Sequence, residues 1–389
     1  MTVEFISAIN VNPGNELNGF ASAAIDHPYF VKYAHTLEEG GFDYTLVPYF
    51  SGGHDPFTIA SAITQHTTRL KPILALRPNT MYPTVAAKAL ATLDQLSGGR
   101  AVVHFIAGGN DHEQAREGDR FSKHERYARQ HEYIEILRRV WTETEAFDHQ
   151  GEFYSFEDFV SHIRPVNGTI PVSVGGSSDE AYRTGGQLGD IFGLWGEPLA
   201  DTQHQIDRIA DEARKAGRTD TPRTWVTFRP IIAPTEELAW EKAHRTLEIL
   251  QDGSKAASLW ASKKNLGKAA EGGPANVGSQ RLLEIAGRQD LHDRALWTPT
   301  ASATGATGAS TALVGTPETV AAAILDYIDL GADLISIRGY DNYNDAVDYG
   351  RYLIPLVRQE LAHREATGRR GEVVDQPPLE DVLRQRAAS

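Results

Sequence analysis

The sequence has no cysteine, no long apolar segment and no excess of basic residues. Without cysteine, the chain forms no disulfide, no thiolate metal ligand and no thiol nucleophile. Asp and Glu outnumber Lys and Arg by 52 to 38, which gives a formal net charge of −14. This balance argues against a nucleic-acid partner, because phosphate backbones require a concentrated basic surface. No apolar run reaches the roughly 20 residues needed to cross a bilayer, and the first ten residues, "MTVEFISAIN", lack the features of a secretory signal. We therefore expect a cytoplasmic protein without a membrane partner.

Several catalytic motifs are also missing. The sequence has no Gly-x-Ser-x-Gly elbow for a hydrolase nucleophile, and its glycine-rich segments lack the lysine of a P-loop. His112 and His131 are each followed by glutamate, but neither has a second histidine at metalloprotease spacing. His124 and His131 are placed to share a helix face, yet no third ligand is evident. We therefore expect no metal site.

Short apolar runs alternate with segments of helical periodicity along the chain. Eight runs are predicted to be strands: Val3–Ala8, Tyr44–Val47, Ile73–Leu76, Ala101–Ala107, Val172–Val174, Ile191–Trp195, Trp225–Ile232 and Leu334–Ile337. Continuous apolar strands that alternate with helices are typical of a parallel sheet covered on its faces. Eight such units fit an α/β fold of the (β/α)8 TIM-barrel type better than an open Rossmann sheet of about six strands. The prediction is a single barrel domain over residues 1–370 with a C-terminal tail at 371–389.

Two stretches exceed the needs of a minimal barrel. Residues 146–168 are predicted to form a small hairpin before the fifth strand. Residues 251–314, before the last helix–strand unit, are rich in Gly, Ala, Ser and Thr and contain few residues able to form a core. Long insertions in compact domains are usually lids or disordered segments. This insertion is predicted to be a lid, with a plain surface loop as the alternative of equal weight.

The fifth predicted strand ends in an unusual run of small residues, Gly175-Gly176-Ser177-Ser178. In this fold, ligands bind where strands end. Free backbone N–H groups at a helix start form an anion site, and glycine allows close approach. The structural alternative is a serine-capped helix after a tight turn, which this stretch alone favours. With no intrinsic nucleophile or metal motif in view, a phosphate-bearing cofactor is the predicted carrier of the chemistry.

Other predicted strands also end in polar or aromatic residues. These candidates are Asn10, Tyr49, His54, Asp55, Arg77, Asn110, Asp111, Trp195, Arg229, Arg338 and Tyr340, and a following helix begins near His124 and Tyr127. An arginine at a strand end usually forms an ion pair at the rim. Together these residues predict a pocket with aromatic side chains and few carboxylates placed for acid–base chemistry.

Several sequence blocks carry a family resemblance. "ALRPNTMYPTVAAKALATLDQLSGGRAVVHFIAGGN", "HERY", "VGGSSDEA", "LWGEP", "TALVGTPETVAAAI" and "GYDNYNDA" resemble the bacterial luciferase-like flavin monooxygenases, most closely their alkanesulfonate monooxygenase branch. The blocks occur in order and span the chain to about residue 360. The resemblance implies a (β/α)8 barrel that receives reduced FMN (FMNH2) from a separate NAD(P)H-dependent flavin reductase. It then uses O2 to oxygenate a small organic substrate. For a sulfonate, the products are an aldehyde and sulfite, and a homodimer or homotetramer is expected.

The resemblance also implies roles for individual residues. The residues assigned to FMN binding are Ala107, Asn110, His124, Tyr127, Gly176, Ser177 and Ser178. The residues assigned to the catalytic pocket are His54, Trp195, Arg229 and Tyr340.

The sequence departs from the sulfonate enzymes at three places. Gly53 replaces a cysteine beside His54, Thr227 and Arg229 replace an Arg-x-His pair, and Ala306 lies where the lid arginine is expected. The loss of that arginine weakens a sulfonate site, although Arg229 and Arg338 could substitute. Two other functions stay open: an F420-dependent oxidoreductase on the same barrel, which transfers hydride without O2, and a non-catalytic flavin-binding barrel. A long lid argues against the latter.

Overall fold

The computed structural model describes residues 3–19, 24–108, 110–252, 276–306, 311–368 and 371. Its strands, in chain order, are β1 (Glu4–Ala8), β2 (Tyr44–Val47), β3 (Lys71–Leu76), β4 (Val102–Phe105), β5 (Phe147–Gln150), β6 (Ser155–Phe159), β7 (Val172–Gly175), β8 (Ile191–Trp195), β9 (Arg223–Ile232), β10 (Leu291–His292), β11 (Leu296–Trp297), β12 (Ala312–Gly315) and β13 (Ala332–Ile337). Its helices are α1 (His27–Glu39), α2 (Pro56–His66), α3 (Pro83–Ser97), α4 (Asp111–Ala115), α5 (Lys123–Thr142), α6 (Asp179–Leu188), α7 (Leu199–Lys215), α8 (Glu236–Asp252), α9 (Val277–Arg288), α10 (Pro299–Ala303), α11 (Pro317–Asp329), α12 (Asn342–Asp348) and α13 (Ile354–Thr367), with a π-helical turn at Tyr349–Leu353.

Eight parallel strands close into a barrel. The order β1-β2-β3-β4-β7-β8-β9-β13 returns to β1, and every neighbouring pair is parallel. The predicted (β/α)8 TIM barrel is therefore confirmed, and each of the eight predicted strands falls on one barrel strand with ends shifted by a few residues. Within the described ranges, no helix is long and apolar enough to cross a membrane.

Alternation along the strands separates the barrel interior from the helix-facing layer. One face of the strands contributes a buried interior cluster made of Ile6, Tyr44, Ile73, Val102, Ile191, Trp225 and Leu334. The other face packs under the helices in the main core, as Phe5, Val103 and Ile335 do. Helix starts are set by local chemistry: Asp55 caps α2 ahead of Pro56, and Ser122 and Glu125 form a capping box at α5.

The predicted hairpin is present as β5 and β6, which pair antiparallel. Its turn is held by Glu132 of α5, whose carboxylate accepts hydrogen bonds from the backbone N–H groups of Glu152, Phe153 and Tyr154. The hairpin is thereby fixed to the outside of the barrel.

The described part of the 251–314 insertion has a core, so the expectation that it contains few core-forming residues is wrong for this part. The last residues of β9 leave the barrel and pair with β12, which pairs with β11 of the β10–β11 hairpin. Leu282 and Ile285 of α9 are buried, as is Trp297 of β11. The high Gly, Ala, Ser and Thr content of the whole insertion did not indicate these apolar positions. Residues 253–275 and 307–310 of the insertion, and the tail from 372, lie outside the described residues.

Candidate cofactor and substrate site

The carboxyl ends of the barrel strands bring most of the predicted residues to one face. Side chains point into the barrel at every second residue of a strand. Two inward positions beyond the interior cluster, this alternation places Arg77, Ser177, Trp195, Arg229 and Arg338 around the mouth. These side chains come from five different strands or the loops that follow them. The barrel mouth is therefore the candidate site.

The loop after β7 requires glycine at position 176. Gly176 has φ +138°, and a Cβ there would lie 2.6 Å from the Tyr127 hydroxyl oxygen and 2.8 Å from the Ala181 Cβ. Ser178 is the N-cap of α6, where its Oγ accepts a hydrogen bond from the Ala181 N–H at 3.4 Å. Its side chain also hydrogen-bonds Tyr127. The predicted alternative of a helix-capping serine is therefore confirmed for Ser178. At Gly176 the backbone carries no side chain and is packed closely against Tyr127.

The insertion covers this loop. A Cβ on Gly278, in the first turn of α9, would lie 2.8 Å from the Trp195 Cζ3 and 2.9 Å from the Ser177 Oγ. The first turns of α6 and α9 therefore both lie beside Ser177, and both present backbone N–H groups. Asn276 caps α9 by accepting from the Gly278 N–H at 2.8 Å. The sequence predicted a lid in this insertion but did not identify α9 or its contact with Ser177, because that contact joins segments about 100 residues apart.

An ion pair anchors α9 to the barrel. Arg281 of α9 donates to both carboxylate oxygens of Glu197, with Nε–Oε1 at 3.0 Å and Nη2–Oε2 at 2.5 Å. Glu197 follows β8 directly and is buried, and Gln205 of α7 donates to the same carboxylate at 2.9 Å. This bidentate geometry fixes the orientation of α9 over Trp195.

The other residues predicted to bind FMN lie near this loop or on the adjacent β4 loop. Ala107 follows β4, the neighbour of β7, and its carbonyl oxygen accepts from the Arg126 Nε at 2.8 Å. Asn110 is the N-cap of α4, where its Oδ1 accepts from the Glu113 N–H at 3.1 Å. His124 is largely exposed, and its Nδ1 lies 3.5 Å from the Glu180 Oε1 in the first turn of α6.

A histidine inside the barrel was not predicted. His104 of β4 has its Nδ1 2.9 Å from the Ser173 Oγ, and its ring centroid lies 5.2 Å from that of Trp225. Cβ atoms on Gly175 and Gly193 would lie 3.0 Å and 3.6 Å from its Cε1, so both glycines make room for the ring. Burial lowers the pKa of His104 to about 4, which leaves it neutral at physiological pH. The histidine in "VVHF" occupies an inward position of a predicted strand, and this polar residue is the sequence signal that could have indicated it.

Two arginines and one glutamate form a cluster on the β9–β13 side of the mouth. Arg229 donates to the Glu16 Oε2 at 2.7 Å and to the Gly339 carbonyl oxygen at 2.9 Å. Its guanidinium carbon lies 3.7 Å from the ring centroid of Tyr340. The Nη2 of Arg338 lies 3.6 Å from the other oxygen of Glu16. The expectation that a strand-end arginine forms an ion pair at the rim is confirmed for Arg229, with Glu16 as the carboxylate. Asp55 instead accepts from the Thr58 N–H at the start of α2.

Tyr340 lies against the insertion. Its side chain is buried, its hydroxyl hydrogen-bonds Thr300 of α10, and its ring packs in a cluster with Trp297 and Ala312. Burial raises the pKa of Tyr340 above its ordinary value, so the hydroxyl stays protonated. Its catalytic assignment stays a prediction, and the contact with Arg229 gives it a supporting position beneath the guanidinium.

A second cluster lies across the mouth and contains two carboxylates that the sequence analysis did not name. Arg77 pairs with Glu113 at 2.6 Å and with Glu117 at 3.2 Å. The Tyr49 hydroxyl donates to Glu117 at 2.5 Å. The structure thus adds Glu113 and Glu117 to the mouth, both engaged in ion pairs.

His54 lies in the loop between β2 and α2 and is partly exposed. Among the described residues it has no hydrogen-bond or ion-pair partner, and its catalytic assignment stays a prediction. No cluster of three or more His, Asp or Glu in the described ranges could hold a metal ion.

Comparisons with known proteins agree with this arrangement. Residues 8–334 match the model of the luciferase-like monooxygenase family. A riboflavin lyase crystallised with modified FMN and riboflavin is 21% identical, with TM-score 0.73 over 98% of this chain and 96% of that one. EDTA monooxygenase from Chelativorans sp. BNC1 is 19% identical, with TM-score 0.73 over 92% and 93%. An F420-dependent secondary alcohol dehydrogenase is 17% identical, with TM-score 0.64 over 92% and 100%. At these identities the structural likeness shows the fold, whereas the family model covers most of the sequence, and the chain belongs to the luciferase-like monooxygenase family.

Proposed function

We propose that this protein is a two-component flavin-dependent monooxygenase that uses reduced FMN and O2 to oxygenate a small organic substrate. The observation that carries the proposal is the loop after β7, here called the glycine cradle, in which Gly176 (φ +138°) has no side chain and leads into the first turn of α6 beside the Ser177 hydroxyl. Glycine backbone at a helix start lets a phosphate approach the N–H groups closely. Family membership supports the reaction class.

The residues around the cradle fit a phosphate. Backbone N–H groups at the start of α6 and the hydroxyl of Ser177 are the proposed donors, and Tyr127 fixes the loop through Ser178. Glu180 in the same turn opposes an anion, and His124 at 3.5 Å offsets that charge when protonated. Ala107 and Asn110 complete the proposed FMN-binding set on the adjacent loop. When bound, reduced FMN would supply two electrons and two protons to O2, so that one oxygen atom is transferred to the substrate and the other leaves as water.

The remaining residues are proposed to shape the reaction space. Trp195 provides a flat wall, and α9 packs over it. His104 is neutral, so its ring is proposed to act as a hydrogen-bonding group inside the barrel rather than as a charged one. Arg229 and Tyr340 are proposed to position the substrate rather than to transfer protons, because both are buried in contacts with the chain itself.

The insertion is proposed to act as the lid that excludes water during the reaction. Its described part packs on Trp195 through α9 and is anchored through the Arg281–Glu197 ion pair. Exclusion of water matters because reduced flavin that reacts with O2 in an open site yields hydrogen peroxide instead of oxygenated product.

An alkanesulfonate-type compound is the proposed substrate class. Oxygenation at the carbon that bears sulfur would break the carbon–sulfur bond and release an aldehyde and sulfite. The arginines at the mouth favour such an anion. A separate NAD(P)H-dependent flavin reductase, a cytoplasmic location and a homodimer or homotetramer complete the proposal.

The test is a turnover assay with purified protein, a flavin reductase, NADH and FMN. We expect O2 consumption coupled to sulfite and aldehyde release from a panel of alkanesulfonates. Reduced F420 is the control cofactor for hydride transfer without O2. Oxidation of reduced F420 by an organic substrate, with no oxygenated product from reduced FMN, would contradict the proposal and favour the F420-dependent alternative.

A further inference from the structure

We propose that Glu16 sets the charge that the substrate pocket accepts, and that Arg338 binds a single monoanionic group of the substrate, a carboxylate or a sulfonate. This inference rests on the proposed function, because it assigns the substrate class of that same mouth. It concerns a residue in the β1–α1 loop that no sequence motif indicated.

The first step is the charge of the cluster. Burial by itself raises the pKa of Glu16, but the charges of Arg229 and Arg338 outweigh it and lower that pKa, so Glu16 is ionised at neutral pH. Arginine stays protonated in proteins. Two cations and one anion therefore share this side of the mouth, and one positive charge is left without a partner in the cluster.

The second step is where that charge lies. Arg229 is 3% exposed at its side chain and has Glu16 at 2.7 Å, the Gly339 carbonyl at 2.9 Å and the Tyr340 ring below it. Arg338 is 30% exposed, and its distance of 3.6 Å to Glu16 is beyond hydrogen-bond length. The unbalanced charge is thus presented by Arg338 at the inward end of β13.

The third step is the field around Arg338. Directly after β3, two strands beyond β1, Arg77 is paired with both Glu113 and Glu117. That cluster is one charge negative, whereas the Glu16 cluster is one charge positive. A monoanion at Arg338 neutralises its own cluster. A dianion would leave a second negative charge facing Glu16, and a neutral group would leave the Arg338 charge uncompensated in a partly desolvated site.

Glu16 is held in place by its own loop. Asn15 accepts hydrogen bonds from the N–H groups of Leu17 and Asn18 at 3.0 Å and 2.8 Å. The Asn12 side chain accepts from the Gly14 N–H at 3.2 Å. These turns fix the carboxylate between the two arginines. Glu16 is therefore a fixed internal anion and a positioning residue, and Arg338 is the group that touches the substrate.

The test uses three probes of similar shape and different charge: dimethyl sulfone (neutral), methanesulfonate (monoanion) and methylphosphonate at alkaline pH (dianion). Their dissociation constants are measured by ligand-observed NMR on the full chain, with and without FMN. We expect methanesulfonate to bind roughly tenfold or more tightly than either other probe, as one charge-assisted hydrogen-bonded pair allows.

Three variants at two positions assign the effect. Arg338→Met should lose roughly tenfold or more in methanesulfonate affinity while dimethyl sulfone binding is unchanged, and Arg338→Lys should restore part of it. Glu16→Gln, confirmed as folded by its melting temperature, should shift the preference toward methylphosphonate. Arg214→Met, on an exposed helix arginine paired with Asp211, is the matched control. Equal affinity of the wild type for the three probes, or unchanged methanesulfonate binding in Arg338→Met, would overturn the inference. Because no turnover is measured, that result is distinguishable from failure of the oxygenation assay.

Discussion

His104 gives a stability prediction whose size follows from the structure. Burial lowers its pKa from an ordinary value of 6.5 to about 4. Because the folded value lies below the unfolded one, the unfolded chain binds more protons between these pH values. The contribution of neutral His104 is therefore fully present above pH 6.5 and is lost as the pH falls toward 4.

The magnitude is set by the separation of the two values. A shift of that size corresponds to about 3 kcal/mol in total, of which about 2 kcal/mol is already lost at pH 5. This is an upper figure, because the ring is partly accessible inside the barrel and water there would reduce the shift. His104→Asn keeps a hydrogen-bonding group near Ser173 and removes the titration.

The assay is urea unfolding at a series of pH values for the wild type and His104→Asn. The other titrating groups are common to both chains, so the difference between their unfolding free energies isolates His104. We expect that difference to change by about 2 kcal/mol between pH 8 and pH 5, with the wild type losing more stability. Parallel pH profiles would refute the reasoning and show that His104 is charged or solvated in the folded state.

Three further substitutions test the loop, the insertion and the arginine cluster. Gly176→Val should lower reduced-FMN affinity at least tenfold, because its side chain would displace Tyr127. An unchanged dissociation constant would contradict the assignment of this loop to FMN binding. Arg281→Gln should loosen α9 by breaking the ion pair with Glu197. It should therefore raise the amount of hydrogen peroxide released per reduced flavin consumed. The same amount as in the wild type would show that α9 does not help to exclude water. Arg229→Ala should cost roughly 1.5–3 kcal/mol in unfolding free energy, because it removes the charge-assisted hydrogen bond to Glu16 and leaves only Arg338 beside that carboxylate. A turnover defect in Arg229→Ala with unchanged stability would restore a direct substrate role.

The barrel could be predicted because each buried strand is marked by its own local run of apolar residues. Each barrel strand is a short apolar run, and the helix that follows it repeats apolar residues at helical spacing. The glycine pair before α6 could be recognised for the same reason. The φ of +138° at Gly176 favours glycine at that position, and this depends only on the local backbone. Even so, the sequence could not assign different roles to Ser177 and Ser178. Only the fold reveals that Ser178 is committed to capping α6 and to Tyr127.

The missed residues depend on contacts between distant segments. Glu16 meets Arg229 across 213 positions of sequence, and no local pattern in "NPGNELNG" marks it. The insertion was misjudged because its Gly and Ala content outweighed the apolar residues of "RLLEIAG", which form the buried face of α9. His104 was within reach, since strand alternation puts it on the interior face of β4 opposite Ser173.

The most direct test of the central claim is the discrimination between reduced FMN and reduced riboflavin, which differ only in the phosphate. Dissociation constants are measured by anaerobic fluorescence titration for the wild type, Ser177→Ala and Gly176→Val. We predict that the wild type binds reduced FMN at least tenfold more tightly than reduced riboflavin. Ser177→Ala should narrow that ratio and Gly176→Val should abolish it, with riboflavin affinity little changed by Ser177→Ala. Equal affinity of the wild type for the two flavins would contradict the assignment of this loop as the phosphate site.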